Sequence, residues 1–322
     1  MLKFLVAGLV VVCFGFADEI QFGGITTGFV FDSSSSSIRS ILGVSGAATL
    51  GGAVVRDIEL AEIAPDGDRA VASKGGRLYV LSGLRRASPS WIPISAISKV
   101  DQIVWNSASS AAALYSTEAG ALVLIRLQGD GSLEEFSLDL AGVGAAIGPI
   151  LVDSEGRYVV VMTASEPADL YVLDRQAGPK RVAQLDRSGP MTFAGKERDV
   201  LAADVSRRQI VQIQDVFGAA TVLPFGALPA DLETPVGMAV SQDDTHAFVV
   251  DKASKRIVVY ETGTRNLVDQ ISLDTEAAFA KRFSRDSLFL LNSSASGSEP
   301  WEFLDTGDKP SVFFVPAGGY LQ

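Results

Sequence analysis

The stretch "DLYVLDRQAGPKRVAQLD", residues 169–186, decides the fold. Leu170–Leu173 is an apolar run closed by Asp174, Gly178 and Pro179 supply a turn, and Val182–Leu185 is a second run. Two short β-prone runs joined by a Gly/Pro turn read as a β-hairpin. The pattern recurs as "GFVFD" from Gly28, "LYVLS" from Leu78, "LVLIR" from Leu122, "IVQIQ" from Ile210, "IVVYE" from Ile257 and "WEFLD" from Trp301. The fifth position is polar in every copy: Asp32, Ser82, Arg126, Asp174, Gln214, Glu261 and Asp305. The interval is about 45 residues, a length typical of structural repeats.

A second hairpin precedes six of these seven copies. "AEIAPDGDRAVAS" leads into the Leu78 copy and "MAVSQDDTHAFVVD" into the Ile257 copy, each with a tight polar turn such as Asp66-Gly67 or Asp243-Asp244. Two hairpins per period give four strands, the unit of a β-propeller blade. Both faces of such a sheet are apolar here, so each must be sandwiched between neighbours, which radial stacking achieves. The expectation is an all-β propeller with seven blades: six four-stranded repeats plus an N-terminal half-blade formed by "GFVFDSSSSSIRSIL". The alternative is six blades, with that hairpin left outside the ring.

The strand spelling carries a family resemblance. "LYVLDRQAGPKRVAQL" and "IVVYETGTRNLVDQISL" resemble one half of the repeat of YVTN-type propellers, and "APDGDRAVAS" and "VSQDDTHAFVVD" resemble the other half. The likeness runs over residues 27–316, without the literal YVTN string. It implies a secreted bacterial propeller of the YVTN/WD40-like superfamily. It implies no activity, because that superfamily holds binders, scaffolds and enzymes alike.

The N-terminus reads separately. Lys3 is followed by an apolar stretch from Phe4 to Phe16, and Gly15 and Ala17 stand at −3 and −1 before Asp18. That is the layout of a cleavable signal peptide, and the apolar stretch falls short of the about 20 residues of a membrane-spanning helix. Residues 1–17 are therefore expected to be removed, leaving 18–322 as a single propeller domain, periplasmic or secreted. Cleavage would remove the only cysteine, Cys13, and leave no thiol for a disulfide or metal site. A chain of this length buries enough surface to fold without staples. The net charge of −11 disfavours nucleic acid and anionic membrane as partners. A monomer binding a protein or a small molecule is the expectation.

Motifs of chemistry are few. The one histidine, His246, follows an inner-hairpin turn at the place of Arg69 and Arg157, a scaffold position rather than that of a general base. A Ser-His-Asp triad would need His246, and "GVSGAA" at 43–48 lacks the spacing of a nucleophile elbow. "GDGSLEE" at 129–135 lacks the alternating ligands of a calcium loop and reads as a repeat turn. "GGAVVRDIEL" lacks the glycine spacing and lysine of a phosphate loop. No catalytic residue, metal ligand or cofactor is assigned. Trp105 and Trp301 read as filler between blades; Trp91, between Pro89 and Pro93, stays open.

The reading is an exported, non-catalytic binding or scaffold propeller of the bacterial envelope. Its expected working surface is the face carrying the links between blades, in segments 43–57, 85–100, 138–149, 185–190, 224–235 and 273–280. Recognition usually sits on such loops. Glu59, Asp101 and Glu233 precede innermost strands and are the candidate binding residues at the channel mouth. The alternative is a lactonase-like hydrolase with an acidic axial site.

Overall fold

The structure, a computed structural model, describes residues 25–317 apart from 145, 285–286, 294–298 and 308. The expected signal peptide at 1–17 lies outside the described residues. Those residues contain strands and turns and no helix, so none long and apolar enough to cross a membrane. The strands form seven antiparallel sheets, each a simple meander in chain order. Seven blades are present rather than six.

Blades 2 to 7 have four strands each and span residues 60–93, 102–138, 147–185, 188–227, 235–272 and 281–315. Blade 1 has three, Thr26–Asp32, Ser37–Val44 and Ala47–Arg56, one more than the half-blade expected. The extra strand occupies the segment 43–57 that the sequence marked as an irregular link. Thr26–Asp32 packs against Leu60–Ile63, the first strand of blade 2, while Ala47–Arg56 packs against Ser311–Val315, the last strand of blade 7. The "GFVFD" copy therefore stands on the axial side of its blade and not in an outer hairpin. Alternation within one strand is the same wherever the strand sits in a blade, and only its partners reveal the position.

Burial follows position within the blade. Ala111–Ser116, the second strand of blade 3, is buried at every residue. Sandwiched on both faces, such a strand is apolar along nearly its whole length instead of alternating. The outermost strand of blade 6, Leu267–Ser272, is exposed at nearly every residue. Leu170, Ile210 and Ile257, equivalent positions in three third strands, are each 0% exposed, whereas Asp174, Gln214 and Glu261 are half-buried. The strand phase read from the repeat is the observed one.

The second strands of blades 3 to 7 end on or just before a buried polar residue: Ser116, Thr163, Asp204, Asp251 and Asn292. Asp251 accepts the Thr234 amide at 2.6 Å and the Ser254 amide at 2.8 Å. Asp204 accepts the amides of Asp186 at 3.0 Å and Arg207 at 3.2 Å. Each carboxylate thus ties the link from the previous blade to the turn leaving its own strand, satisfying backbone donors that would otherwise be buried unmet.

Candidate functional site

The first strands of blades 2 to 7 enclose an axial cavity of about 1050 Å³. Leu60–Ile63, Gln102–Trp105, Ile147–Val152, Ser188–Ala194, Pro235–Val240 and Lys281–Arg282 all contribute to its wall. Backbone packing there is tight: a Cβ on Gly237 would stand 2.3 Å from the Ala280 amide nitrogen of the next blade. Glycine lets the two inner segments approach.

The wall is mixed in character. Ile103, Leu151, Met191, Phe193, Met238 and Phe279 give it apolar surface. Trp105 stands on this wall too while packing, as expected, against the apolar cluster between blades 2 and 3, and its indole N–H donates to the Glu62 carbonyl at 3.0 Å. Glu62 and Lys281 form an ion pair at 2.5 Å. The Lys281 ammonium also lies 4.7 Å from the Phe279 ring centre, and the Arg282 guanidinium lies 4.9 Å from that of Phe289. Burial lowers the Arg282 pKa, and the charge of Glu197 opposes that shift.

The turns joining first to second strands are tied across blades at one end of the cavity. Glu197, on the blade 5 turn, accepts the Ser107 hydroxyl of blade 3 at 2.5 Å and the Ser154 amide of blade 4 at 2.7 Å. Asp244 of blade 6 accepts the amides of Gly195 and Lys196 at 3.2 and 3.1 Å. Asn106 donates to the carbonyls of Asp153 at 3.1 Å and Ser154 at 2.8 Å. Ser109 accepts the Asp66 amide at 2.8 Å, and its carbonyl accepts the Arg69 guanidinium at 2.8 Å. These bonds run from blade 2 to blade 6. Asp153 is buried beneath them; burial pushes its carboxyl up, the amides of Tyr158 and Arg157 oppose, and Glu197 and Glu155 add to the rise.

The three acidic residues singled out in the sequence do not come together. Asp101 lines the cavity at the end where the blade links enter, and its carboxylate accepts the Thr117 amide at 2.5 Å. Glu59 is exposed and does not line the cavity; it accepts the Ser73 hydroxyl at 2.6 Å and the Gly76 amide at 3.2 Å, which hold its carboxyl below the usual range. Glu233 is exposed in the link between blades 5 and 6, away from the lining. Among the described residues, no three His, Cys, Asp or Glu side chains group as metal ligands would. His246 is also off the axis, its Nδ1 paired with the Thr245 hydroxyl at 2.9 Å. In the 129–135 turn, Asp130 accepts the Ser132 amide and hydroxyl at 2.9 and 2.7 Å, which is turn chemistry.

Sequence reading passed over Glu62, Glu197, Lys281 and Arg282. Glu197 had no signal, because its partners come from other blades. Lys281 and Arg282 had one: "KRF" stands where other repeats have "IVW", "ILV" or "MAV", and a pair of cations breaks an apolar inner strand.

No family model and no curated protein matches the sequence. Solved structures do match in shape. A protein from Lactobacillus plantarum aligns with a TM-score of 0.62 at 12% identity, over 90% of this chain and 96% of that one. A provisionally assigned 6-phosphogluconolactonase from Bacteroides fragilis aligns with a TM-score of 0.60 at 7% identity, over 90% and 94%. The Cps50 (Swd1) β-propeller domain of Myceliophteria thermophila aligns with a TM-score of 0.55 at 12% identity, over 84% and 94%. The chain is a seven-bladed β-propeller. At such identities the likeness extends to the fold alone.

Proposed function

We propose that this propeller is a non-catalytic binding module of the YVTN/WD40-like superfamily, exported to the bacterial envelope, with the axial cavity as its ligand site. The cavity reaches the size range of small-molecule sites, which run to about 1,000 Å³. The observation that carries the reading is how the axial carboxylates are used. Glu62 is engaged by Lys281, Glu197 by Ser107 and Ser154, Asp244 by two turn amides and Asp101 by Thr117. Each holds the frame: even Glu197, which meets the Ser107 hydroxyl, has its other oxygen on the Ser154 amide and ties three blades together. The signal-like N-terminus and the repeat spelling support export and the superfamily.

Fluorescence titration with the neutral apolar dye Nile red tests the site. The wild-type protein is expected to bind the dye, and Thr192→Trp, which places an indole on the cavity wall, to bind it at least about tenfold more weakly without loss of thermal stability. Equal binding by both proteins would remove the axial cavity from the account. The hydrolase reading is supported by a likeness in fold to provisionally assigned lactonases.

A further inference from the structure

A second cavity, of about 280 Å³, lies where the inner strands of blades 1, 2 and 7 meet. It shares Glu62, Phe279, Lys281 and Arg282 with the axial cavity, so the two form one space with a side lobe. Among the described residues, blade 1 lends nothing to the axial wall; its Phe29 and Phe31 line the lobe instead. Phe283 and Trp301 of blade 7 complete an aromatic surround. Trp301 is 1% exposed, and its indole N–H is buried without a hydrogen-bond partner. The indole N–H of Trp105, on the axial wall, is by contrast met by the Glu62 carbonyl at 3.0 Å. Buried polar groups are nearly always paired in folded proteins, so a buried donor on a cavity's lining residue points to an acceptor carried by what the cavity binds.

The groups already engaged in the lobe set the character of that acceptor. Among the described residues, its ionised lining groups are Glu62, Lys281 and Arg282. Lys281 is held by the Glu62 carboxylate at 2.5 Å, and Arg282 is engaged within the protein too. A charged ligand would find its counter-ions there already taken, and burying an unpaired charge against aromatic rings is costly. A neutral carbonyl oxygen meets the indole N–H without that cost. It accepts one hydrogen bond, and it leaves the rings to pack against an apolar body.

We propose that the lobe receives the carbonyl oxygen of a neutral, largely apolar carbonyl compound, held by the Trp301 indole N–H, while its apolar body lies along the axial cavity. The inference rests on the axial cavity being a ligand site and names the class of ligand.

The test is equilibrium dialysis with 4-phenylbutan-2-one, with 3-methylbutylbenzene, which has the same shape with a methyl in place of the oxygen, and with the anion 4-phenylbutanoate. The hydrocarbon leaves water more readily than the ketone, so the change between proteins decides, not the bare affinity. Relative to wild type, Trp301→Phe is expected to lower the ketone-to-hydrocarbon affinity ratio at least about tenfold, because the ketone loses its only donor. Hydrocarbon binding retained by the variant shows that it is folded. The anion is expected to bind wild type at least about tenfold more weakly than the ketone. In the wild-type protein, the Trp301 indole N–H resonance, assigned by eliminating those lost in Trp91→Phe and Trp105→Phe, is expected to move downfield with the ketone and not with the hydrocarbon; this readout stands even where Trp301→Phe fails to fold. An unchanged ratio in a folded Trp301→Phe, an anion bound more tightly than the ketone, or an indole resonance that ignores the ketone would each overturn the proposal. If Nile red binding is lost in Thr192→Trp while the ratio is the same in wild type and Trp301→Phe, the binding site stands and the carbonyl selectivity falls. If Nile red binds wild type and Thr192→Trp alike, the binding site falls first.

Discussion

Glu302 is the residue whose chemistry is least at ease with its surroundings. It is 0% exposed; one carboxyl oxygen accepts the Thr275 hydroxyl at 2.6 Å and the other has no partner. Burial raises its pKa above the ordinary glutamate value, Thr275 opposes, Asp274 adds and Lys255 opposes. A carboxyl whose pKa is higher folded than unfolded favours the fold in acid, and that contribution is lost as pH rises through the folded value. Glu302→Gln removes the charge, so its stability relative to wild type is expected to be greater at pH 8 than at pH 4, measured by urea unfolding at both. A difference independent of pH would mean that Glu302 titrates normally. His246 lies at the other extreme, half-buried, with its Nδ1 paired with the hydroxyl of its neighbour Thr245. His246→Ala is expected to change stability by less than about 1 kcal/mol in the same measurement, and to leave Nile red binding unaltered. Little of the residue scale was legible in the sequence. Glu59 and Asp101 precede innermost strands as read, yet their carboxylates hold turns, and nothing local distinguishes a turn cap from a channel ligand.

At the scale of strands the sequence was far more informative, because a blade face repeats its demands seven times. Leu170, Ile210 and Ile257 share one position and one environment, each fully buried between blades. Leu170→Asp is expected to leave the chain unfolded or to cost several kcal/mol, since an unpaired charge enters an apolar core. Asp174→Ser, in the same hairpin, is expected to cost about 1 kcal/mol or less, because Asp174 is half-buried, caps the Gln176 amide at 2.9 Å and lies 3.9 Å from Arg157. Circular dichroism melts of the two variants check both outcomes, and the reverse order would mean that the strand phase is wrong. Blade 1 shows where this legibility stopped. "AATLGGAVVR", the strand Ala47–Arg56, carries glycines and alanines where strands normally carry β-branched and aromatic residues, so it read as a link. Its pairing with Ser37–Val44 is what makes it a strand.

At the scale of the whole molecule, the ring closes without exchange of strands among the described residues. Blade 1 comes entirely from the N-terminal side and blade 7 entirely from the C-terminal side. What joins them is an apolar cluster of Val30, Ile41, Ala48, Phe283, Trp301, Phe303 and Val315. The approach is close: a Cβ on Gly28 would stand 2.4 Å from the Phe283 ring. Phe303→Ala is expected to cost about 3–5 kcal/mol, as removal of a buried phenylalanine does, against less than about 0.5 kcal/mol for the exposed Val222→Ala. Denaturant unfolding of both would show whether the seam holds the ring. Export is tested by N-terminal sequencing of the protein recovered from the cell envelope; the expected first residue is Asp18, and a start at Met1 would contradict cleavage. The blade count and strand phase were legible because repetition averages over local exceptions, whereas the axial groups each occur once. The central claim is that those groups frame a binding site and do not catalyse. The most direct measurement is the rate of δ-lactone opening by the purified protein, followed by pH-stat with and without added divalent cation. The account predicts the rate of buffer alone under both conditions; a rate well above buffer that falls in Glu62→Gln or Glu197→Gln would contradict it.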